Sequence, residues 1–509
     1  MSTKFGWEVN RSIIEKMLSK EGCLTGGSTL SGGDAVSWLE ALEKQEISSV
    51  ELVSACLRRM LKLEEHLNAM ISIDSNALET ARECDRLRAS GCTKPLLGLP
   101  VVVKDNIDVA GFPTTLAAAA LADSNIKPDA FLVHRLREDG AVILGKTNLS
   151  EYASDGMSDN TLVGQAHNPY DLTRTPGGSS GGSGVAAAAE YAAAGIGTDG
   201  VNSVRSPASA NSLVGLRPTK GLVSCTGACP SSPTQDMCGI LARSARDAAL
   251  FLNSIARFDP EDPTAIEGPK TDYLKNLDPD ALKGKKIALL LNNCGDHPEV
   301  LRVASETAGR LREYGANVVE ITDEVLDVKR MLAENNVIRF EQKASIDAWL
   351  SDEKNGYRMK SLQEYLDSGL VLESIQPTFR SEFDPMYANE EAHQERLTRI
   401  RENREYVIRK MEAEGIDAFC YPMQSIPVVP IKHPKGQAGR NGILASALGL
   451  PAVAFPGGYT AVTETAPRGI PIGMEFLGAP LSEQLLLDLV HSYESRAQIR
   501  QLPDISYGN

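Results

Sequence analysis

The sequence lacks the short patterns that usually indicate a metal centre or a membrane span. It has no C-x-x-C and no H-x-x-x-H spacing, and its nine cysteines and seven histidines are scattered along 509 residues. Because a structural zinc ion needs about four clustered ligands, we expect no metal. No apolar run approaches about 18 residues, so we expect no transmembrane helix. Free thiols in a reducing compartment are the expected state of the cysteines, which predicts a cytoplasmic protein.

Positive charge is also in short supply. The net charge is −15, and no block of consecutive Lys or Arg stands out. This balance argues against nucleic acid as a partner and against an anionic membrane surface. The first 16 residues have no apolar core of the kind found in a secretory signal, so we expect none. The sequence leaves the oligomeric state open, with a homodimer among the candidates.

Small residues dominate one stretch, 175–219. A loop of Gly and Ser, GGSSGGS at 177–183, precedes a run of mostly small residues at 185–194, and a second serine-bearing turn, TDGVNSVRSP, spans 198–207. Such composition indicates backbone that approaches other groups closely, and serines on such turns are candidate nucleophiles. A flexible linker is the simpler reading, but an apolar run does not usually follow a linker. A phosphate loop is disfavoured because neither G-x-x-x-x-G-K-[ST] nor G-x-G-x-x-G is present.

Strand-like and helix-like segments alternate through most of the chain, which favours an α/β fold. Three valines at 101–103 predict a buried strand that ends at Lys104. This lysine is either a catalytic residue or one whose side chain extends to solvent. Residues 37–67 and 77–90 have helical periodicity, and 277–322 reads as a strand–helix–strand unit. We expect 1–35 to be a lead-in and 36–509 a single domain. The charged segment 323–414 is predicted to be a helical excursion that covers the active site and shapes the substrate pocket.

Several of these segments together resemble the amidase signature family, serine amidohydrolases with a Ser–Ser–Lys triad. The resemblance runs from about residue 36 to the end, and the spacings agree: 75 residues separate Lys104 from Ser179, and 24 separate Ser179 from Ser203. It implies a large mixed β-sheet covered by helices on both faces. The segments that carry it are GLPVVVKDNIDVAGFPTT (98–115), GAVILGKTNLSEYA (140–153), GQAHNPYD (164–171), 175–219, NGILASALGLPAVAFPGGY (441–459) and GIPIGMEFLGAPLSEQLLLDL (469–489).

By this resemblance Ser203 is the nucleophile that forms an acyl-enzyme, Ser179 relays the proton, and Lys104 is the base. No histidine lies in these motifs, so a Ser–His–Asp arrangement has no support here. Such a lysine must be neutral at rest, which burial can achieve by lowering its pKa. The family also has a cis peptide bond at the first serine of GGSSGG. Backbone N–H groups of four residues are expected to form the oxyanion hole: Gly200, Val201, Asn202 and Ser203.

The nucleophile turn departs from the family at two positions. The family usually has two glycines where this chain has Val201 and Asn202, so side chains now lie beside the acyl site. We expect Val201 in an ordinary extended conformation. Ser180 is expected to support the network, and Asp199 and Arg205 to pair and brace the turn. The other interpretation of Arg205 is that it binds a substrate carboxylate.

The resemblance implies an amidase that cleaves the C–N bond of a small carboxamide without a cofactor; carbamates and esters share the same acyl-enzyme chemistry. The alternative is the glutaminase subunit of a tRNA-dependent amidotransferase. That alternative needs a basic residue for the glutamine α-carboxylate, and the sequence reveals no clear one. A third interpretation is a scaffold that keeps the fold without activity. The presence of all three triad residues argues against it.

Overall fold

One mixed sheet of eleven strands organises the residues that the computed structural model describes, 5–22 and 32–505. The spatial order is β1-β3-β2-β4-β6-β5-β10-β11-β9-β7-β8. Neighbours are parallel within β3-β2-β4 and β8-β7-β9 and antiparallel elsewhere. The strands are β1 (Met70–Ile73), β2 (Pro100–Lys104), β3 (Val142–Thr147), β4 (Ala194–Asp199), β5 (Val214–Arg217), β6 (Met237–Ala242), β7 (Lys286–Leu290), β8 (Asn317–Ile321), β9 (Ala418–Pro422), β10 (Ala452–Tyr459) and β11 (Pro471–Leu477).

Helices cover both faces of this sheet, as the resemblance implied, and the α/β prediction is confirmed. The helices are α1 (Trp7–Lys20), α2 (Ala35–Glu43), α3 (Ser49–Leu67), α4 (Ala77–Ala89), α5 (Phe131–Glu138), α6 (Gly181–Ala188), α7 (Arg205–Ala210), α8 (Ala245–Ile255), α9 (Pro298–Glu313), α10 (Val328–Glu334), α11 (Ile338–Ser351), α12 (Leu362–Asp367), α13 (Gln376–Ser381), α14 (Glu390–Glu414), α15 (Ile443–Ser446) and α16 (Glu483–Ala497). None of them, over the described ranges, is long and apolar enough to cross a bilayer.

Local sequence explains where these elements begin. Every residue of β2, PVVVK, is buried, which fits a strand inside a parallel sheet. Helix α3 begins at Ser49 because the Ser48 hydroxyl accepts the Glu51 N–H at 3.1 Å, while the Glu51 carboxylate accepts the Ser48 N–H at 2.8 Å. The strand–helix–strand unit predicted within 277–322 is present as β7, α9 and β8.

The N-terminal segment differs from the expected lead-in. Helix α1 occupies much of it, and Ile14 and Leu18 are fully buried in the main core. Asn10 donates its side-chain N–H to the backbone oxygen of Met70 at 3.3 Å, which ties the helix to β1. The physical reason is helical spacing of apolar residues, at Ile14, Met17 and Leu18, within a polar stretch. The glycine-rich residues 23–31 lie outside the described ranges, and the domain division itself stays a prediction.

The charged segment 323–414 is helical, as predicted, and forms α10 to α14. A buried lysine joins it to the core: the Lys127 ammonium lies 2.7 Å from the Asp108 carboxylate and 3.0 Å from the Asn355 side-chain oxygen. The same ammonium lies 4.0 Å from the centroid of the Trp349 ring. Since Trp349 and Asn355 belong to the excursion, these contacts hold it beside the cavity described next.

Candidate active site

Lys104 ends β2 and points between two hydroxyl groups. Its Nζ donates to Ser179 Oγ at 2.8 Å and to Thr198 Oγ1 at 2.8 Å. The parallel pairing of β2 with β4, in which Val103 lies opposite Ile196, brings Thr198 to the same edge of the sheet. The predicted contact between the lysine and the first serine of GGSSGG is therefore present in the geometry.

The environment of Lys104 favours its neutral form. The side chain is completely buried, and this burial lowers its pKa to about 7, although the charges of Asp199 and Asp236 act in the opposite direction. No carboxylate of the described residues forms an ion pair with it within 4 Å; its nearest acceptors are two neutral hydroxyls. A lysine in this state can accept a proton near neutral pH.

The Gly/Ser loop brings two serines against β4. The peptide bond between Gly178 and Ser179 is cis, as the resemblance implied. The Ser180 hydroxyl donates to the Thr198 carbonyl at 3.2 Å, and the Ser180 N–H donates to the Ser203 carbonyl at 3.1 Å. Ser180 thus links the loop both to β4, which carries Thr198, and to the turn that carries Ser203.

Small residues are required here by close backbone approach. A Cβ added at Gly182, in the first turn of α6, would lie 2.4 Å from the Ala69 carbonyl oxygen. A Cβ added at Gly197, in β4, would lie 2.6 Å from the Ser180 hydroxyl oxygen. Glycine is therefore required at these two positions by close packing, of α6 against the backbone at Ala69 and of β4 against Ser180.

Ser203 lies on the turn between β4 and α7 and is partly exposed to a cavity of about 780 Å³. Ser179, Gly200, Val201 and Asn202 line the same cavity. Within the described chain, the Ser179 and Ser203 hydroxyls are not hydrogen-bonded to each other. The structure thus brings two of the predicted triad residues, Ser179 and Ser203, and the four predicted oxyanion residues to one cavity. The third, Lys104, lies behind the cavity wall and is hydrogen-bonded to Ser179.

The two departures from the family pattern are accommodated without unusual backbone angles. Neither Val201 nor Asn202 has a positive φ, so this turn does not need glycine for conformational reasons. Asn202 is only 4% exposed, and its side-chain oxygen accepts a hydrogen bond from Arg440 Nη1 at 3.1 Å. Its Cβ lies against Gly442, where an added Cβ would be only 2.5 Å away.

The charged pair that flanks the turn is fully buried. Arg205 Nε and Nη2 donate to the two carboxylate oxygens of Asp199 at 3.1 and 3.0 Å, and Nη1 donates to Glu475 at 2.6 Å. Arg205 also donates to the Val201 carbonyl at 2.7 Å, so it holds the turn itself. Burial alone would raise the pKa of Asp199, but the charges of Arg205 and Arg217 outweigh it and the pKa lies below its ordinary value. Since Arg205 is 0% exposed, the interpretation in which it binds a substrate carboxylate is wrong.

Sequence reasoning missed four residues of this site: Asn106, Thr198, Asp236 and Arg440. Thr198 accepts hydrogen bonds from Lys104 at 2.8 Å and from the Asn106 amide at 3.0 Å; its place directly before Asp199 in the motif could have revealed it.

Asp236 lines the cavity, and its carboxylate accepts hydrogen bonds from the backbone N–H groups of Ser231 and Ser232. Burial raises the pKa of Asp236. Arg440 comes from a distant loop, and no local pattern marks it.

The charged lining also corrects one inference. The sequence revealed no clear basic residue for a substrate carboxylate, yet Lys220, Arg339 and Arg440 all line the cavity. No group of three His, Cys, Asp or Glu side chains within 5–22 and 32–505 is arranged to hold a metal ion. The eight cysteines in those ranges are all unpaired thiols.

Relatives of this chain include both amidotransferase subunits and peptide amidases. A glutamyl-tRNA(Gln) amidotransferase subunit of Roseiflexus sp. is 33% identical over 479 residues, which cover 89% of this chain and 94% of that protein. The crystal structure of the native peptide amidase from Stenotrophomonas maltophilia is 31% identical with a TM-score of 0.83, covering 94% of this chain and 100% of that one. The peptide amidase PAM in complex with the competitive inhibitor chymostatin is 32% identical with a TM-score of 0.85, covering 93% and 99%.

The family assignment follows from the extent of these matches. The family described as amidase matches residues 51–487, which is most of the chain and includes Lys104, Ser179 and Ser203. The chain belongs to the amidase signature family.

Proposed function

We propose that this protein hydrolyses the C–N bond of a small carboxamide through an acyl-enzyme on Ser203. The observation that carries the proposal is the buried Lys104 with its Nζ 2.8 Å from Ser179 Oγ and a pKa lowered to about 7. A serine hydroxyl attacks an amide only when a base removes its proton, and a neutral lysine next to a relay serine supplies that base.

In the acylation step the Ser203 oxygen attacks the amide carbonyl carbon. Its proton passes to Ser179 Oγ, whose own proton passes to Lys104 Nζ. The developing oxyanion is stabilised by backbone N–H groups of the turn from Gly200 to Ser203. The proton then returns from Lys104 through Ser179 to the leaving nitrogen, the C–N bond breaks, and ammonia or an amine departs.

In the deacylation step water takes the place of the amine. The same base removes a proton from water, the hydroxyl oxygen attacks the ester carbonyl, and the bond to Ser203 breaks with return of the proton to its oxygen. The product is a carboxylic acid. Carbamates and esters enter the same sequence, since each forms an acyl-enzyme by loss of its leaving group.

The second candidate function is the glutaminase subunit of a tRNA-dependent amidotransferase. The similarity to the Roseiflexus amidotransferase component, with 33% identity over nearly its whole length, favours it. The basic residues of the cavity also remove the objection that nothing could receive the glutamine α-carboxylate. On this candidate, tRNA and further subunits become partners, and the expectation of no nucleic acid would fail.

One experiment separates these functions. The purified chain alone is assayed for ammonia release from a panel of simple amides, peptide amides and glutamine, beside Ser203→Ala. Turnover of a simple or peptide amide that Ser203→Ala reduces by about 10³-fold or more supports the stand-alone amidase. Near silence on the whole panel, with activity that appears only with partner subunits, favours the glutaminase subunit.

A chemical probe tests the nucleophile without a known substrate. The intact mass is measured after treatment with a fluorophosphonate. We expect one adduct on the wild type and none on Ser203→Ala. No adduct on either protein would contradict an activated serine and would favour the inactive scaffold.

A further inference from the structure

Arg440 places a guanidinium group beside the Gly/Ser loop. It lies in the segment between β9 and α15 and lines the same cavity as Ser179 and Ser203. A Cβ added at Gly156 would lie 2.1 Å from Arg440 Nη1, so the guanidinium rests directly on the backbone at Gly156. Gly156 in turn packs against Gly178, since a Cβ added at Gly178 would lie 2.8 Å from the Gly156 carbonyl carbon. Only the backbone of Gly156 thus separates the Arg440 guanidinium from the Gly178–Ser179 segment.

Most hydrogen-bonding capacity of this guanidinium is unused. Among the described residues its one hydrogen bond goes to the Asn202 side-chain oxygen at 3.1 Å, and no carboxylate lies within 4 Å of it. An arginine has five N–H donors, and a partly buried cation that lacks an ion-pair partner is costly. Burial accordingly lowers the pKa of Arg440, although the charge of Asp155 acts in the opposite direction. The unused donors border the cavity.

Asn202 fixes the orientation of this donor group. Its own Cβ is held against Gly442, and its amide oxygen holds Arg440 Nη1. Asn202 directly precedes Ser203 in the chain, so the guanidinium is held close to the place where the acyl group of a substrate is bound. Arginine binds oxygen acceptors with a planar fork, and a carboxylate fits that fork with two bonds.

We propose that Arg440, positioned by Asn202, binds an oxygen atom of a carboxylate or carbonyl group on the acyl part of the substrate. This rests on the proposed amide hydrolysis and adds to it a substrate class: amides with a second oxygen acceptor a few bonds from the scissile carbonyl. A carboxylate and a carbonyl share this chemistry, and the substrates below distinguish them.

Three amides of similar size provide the kinetic test. Butyramide has no second acceptor, N-acetylglycinamide carries a carbonyl, and succinamate carries a carboxylate. We expect the wild type to prefer one of the latter two over butyramide by about 10-fold or more in kcat/KM. Arg440→Gln should lower that preference by about 10- to 100-fold, mainly through KM. Arg409→Gln, a change at an exposed arginine of α14, is the matched control and should keep the preference.

Preference for succinamate identifies a carboxylate subsite, and preference for N-acetylglycinamide a carbonyl subsite. The proposal is overturned if the wild type shows no preference, or if Arg440→Gln slows all three amides by the same factor, which indicates a purely structural arginine. Should Arg440→Gln not fold, Arg440→Lys decides: it keeps the charge, loses the fork, and should show a reduced preference.

A binding measurement separates this inference from the proposed reaction. Calorimetry compares Ser203→Ala with Ser203→Ala/Arg440→Gln for succinamate and N-acetylglycinamide. If the wild type hydrolyses no amide but binding depends on Arg440, the reaction is wrong and the acceptor subsite stands. If binding of both compounds is equal in the two proteins, the subsite is wrong whatever the wild type hydrolyses.

Discussion

Arg205 binds both carboxylate oxygens of Asp199 inside a fully buried network that also contains Glu475. Replacing Arg205 with Met would leave the buried Glu475 carboxylate without its ion-pair partner and Asp199 with Arg217 alone. We expect a loss of about 3–5 kcal/mol in the free energy of unfolding, because uncompensated buried charges are destabilising. Urea-induced unfolding followed by circular dichroism measures it.

The matched control for this change is Arg409→Gln, which removes an arginine whose side chain is 67% exposed. It should alter the free energy of unfolding by no more than about 0.5 kcal/mol. A cost below about 1 kcal/mol for Arg205→Met would mean that Arg217, which also contacts Asp199, is a sufficient counter-charge.

The pH dependence of turnover should report Lys104. Its pKa is lowered to about 7, and the proposed reaction needs the unprotonated amine. Activity is therefore retained above this pKa and is lost as the pH falls through it. We expect kcat/KM to follow a single ionisation with a midpoint near pH 7, measured with a neutral amide between about pH 5 and 9. Residual activity of Lys104→Ala should not show that ionisation; a midpoint unchanged in the variant would assign it to another group.

The side chains at the nucleophile turn should restrict the acyl group. Val201 and Asn202 both line the cavity next to Ser203. The double change Val201→Gly/Asn202→Gly removes both side chains, and neither position needs glycine for its φ. We expect larger acyl groups to gain kcat/KM relative to acetamide, measured on a series of linear and branched amides. An identical substrate profile in the variant would show that these side chains do not limit the pocket.

Asn202 and Gly442 should be energetically coupled. A Cβ added at Gly442 would lie 2.5 Å from Asn202 Cβ and 2.7 Å from the Val201 carbonyl oxygen. Gly442→Ala should therefore cost about 1–3 kcal/mol by overpacking. Asn202→Gly in the same chain should recover part of this cost but not all, since the contact with the Val201 backbone remains. Thermal unfolding of the four proteins of the cycle measures the coupling, and strict additivity would contradict it.

Much of the fold was accessible from sequence because its strands and helices carry strong local patterns. Three valines before Lys104 predicted β2, and helical periodicity within 37–67 predicted α3. Helix α1 was missed since its apolar residues, Ile14, Met17 and Leu18, are few and lie in a polar stretch. What buries them is a surface made by β1 and α3, which no local pattern reveals.

The residues of the candidate site also divide into those that lie in a local sequence motif and those that do not. Lys104, Ser179 and Ser203 lie in recognisable motifs; the structure places both serines on one cavity and Lys104 in hydrogen-bond contact with Ser179. Arg440 escaped because it is 238 residues from its partner Asn202, and a loop arginine has no periodicity to mark it. Arg205 shows what burial adds to a motif: its sequence neighbours are compatible with both a brace and a ligand, and its complete burial favours the brace.

The parallel pairing of β2 with β4 has a practical consequence. Lys104 and Thr198 are 94 residues apart, and they meet only when these two strands have joined in register. A one-residue slip would turn Lys104 to the opposite side of the sheet and leave the serines without a base. On the proposed chemistry, the fraction of molecules labelled by a fluorophosphonate would therefore measure the fraction in which β2 and β4 are correctly paired. Labelling at successive times during refolding would follow the formation of this strand pair.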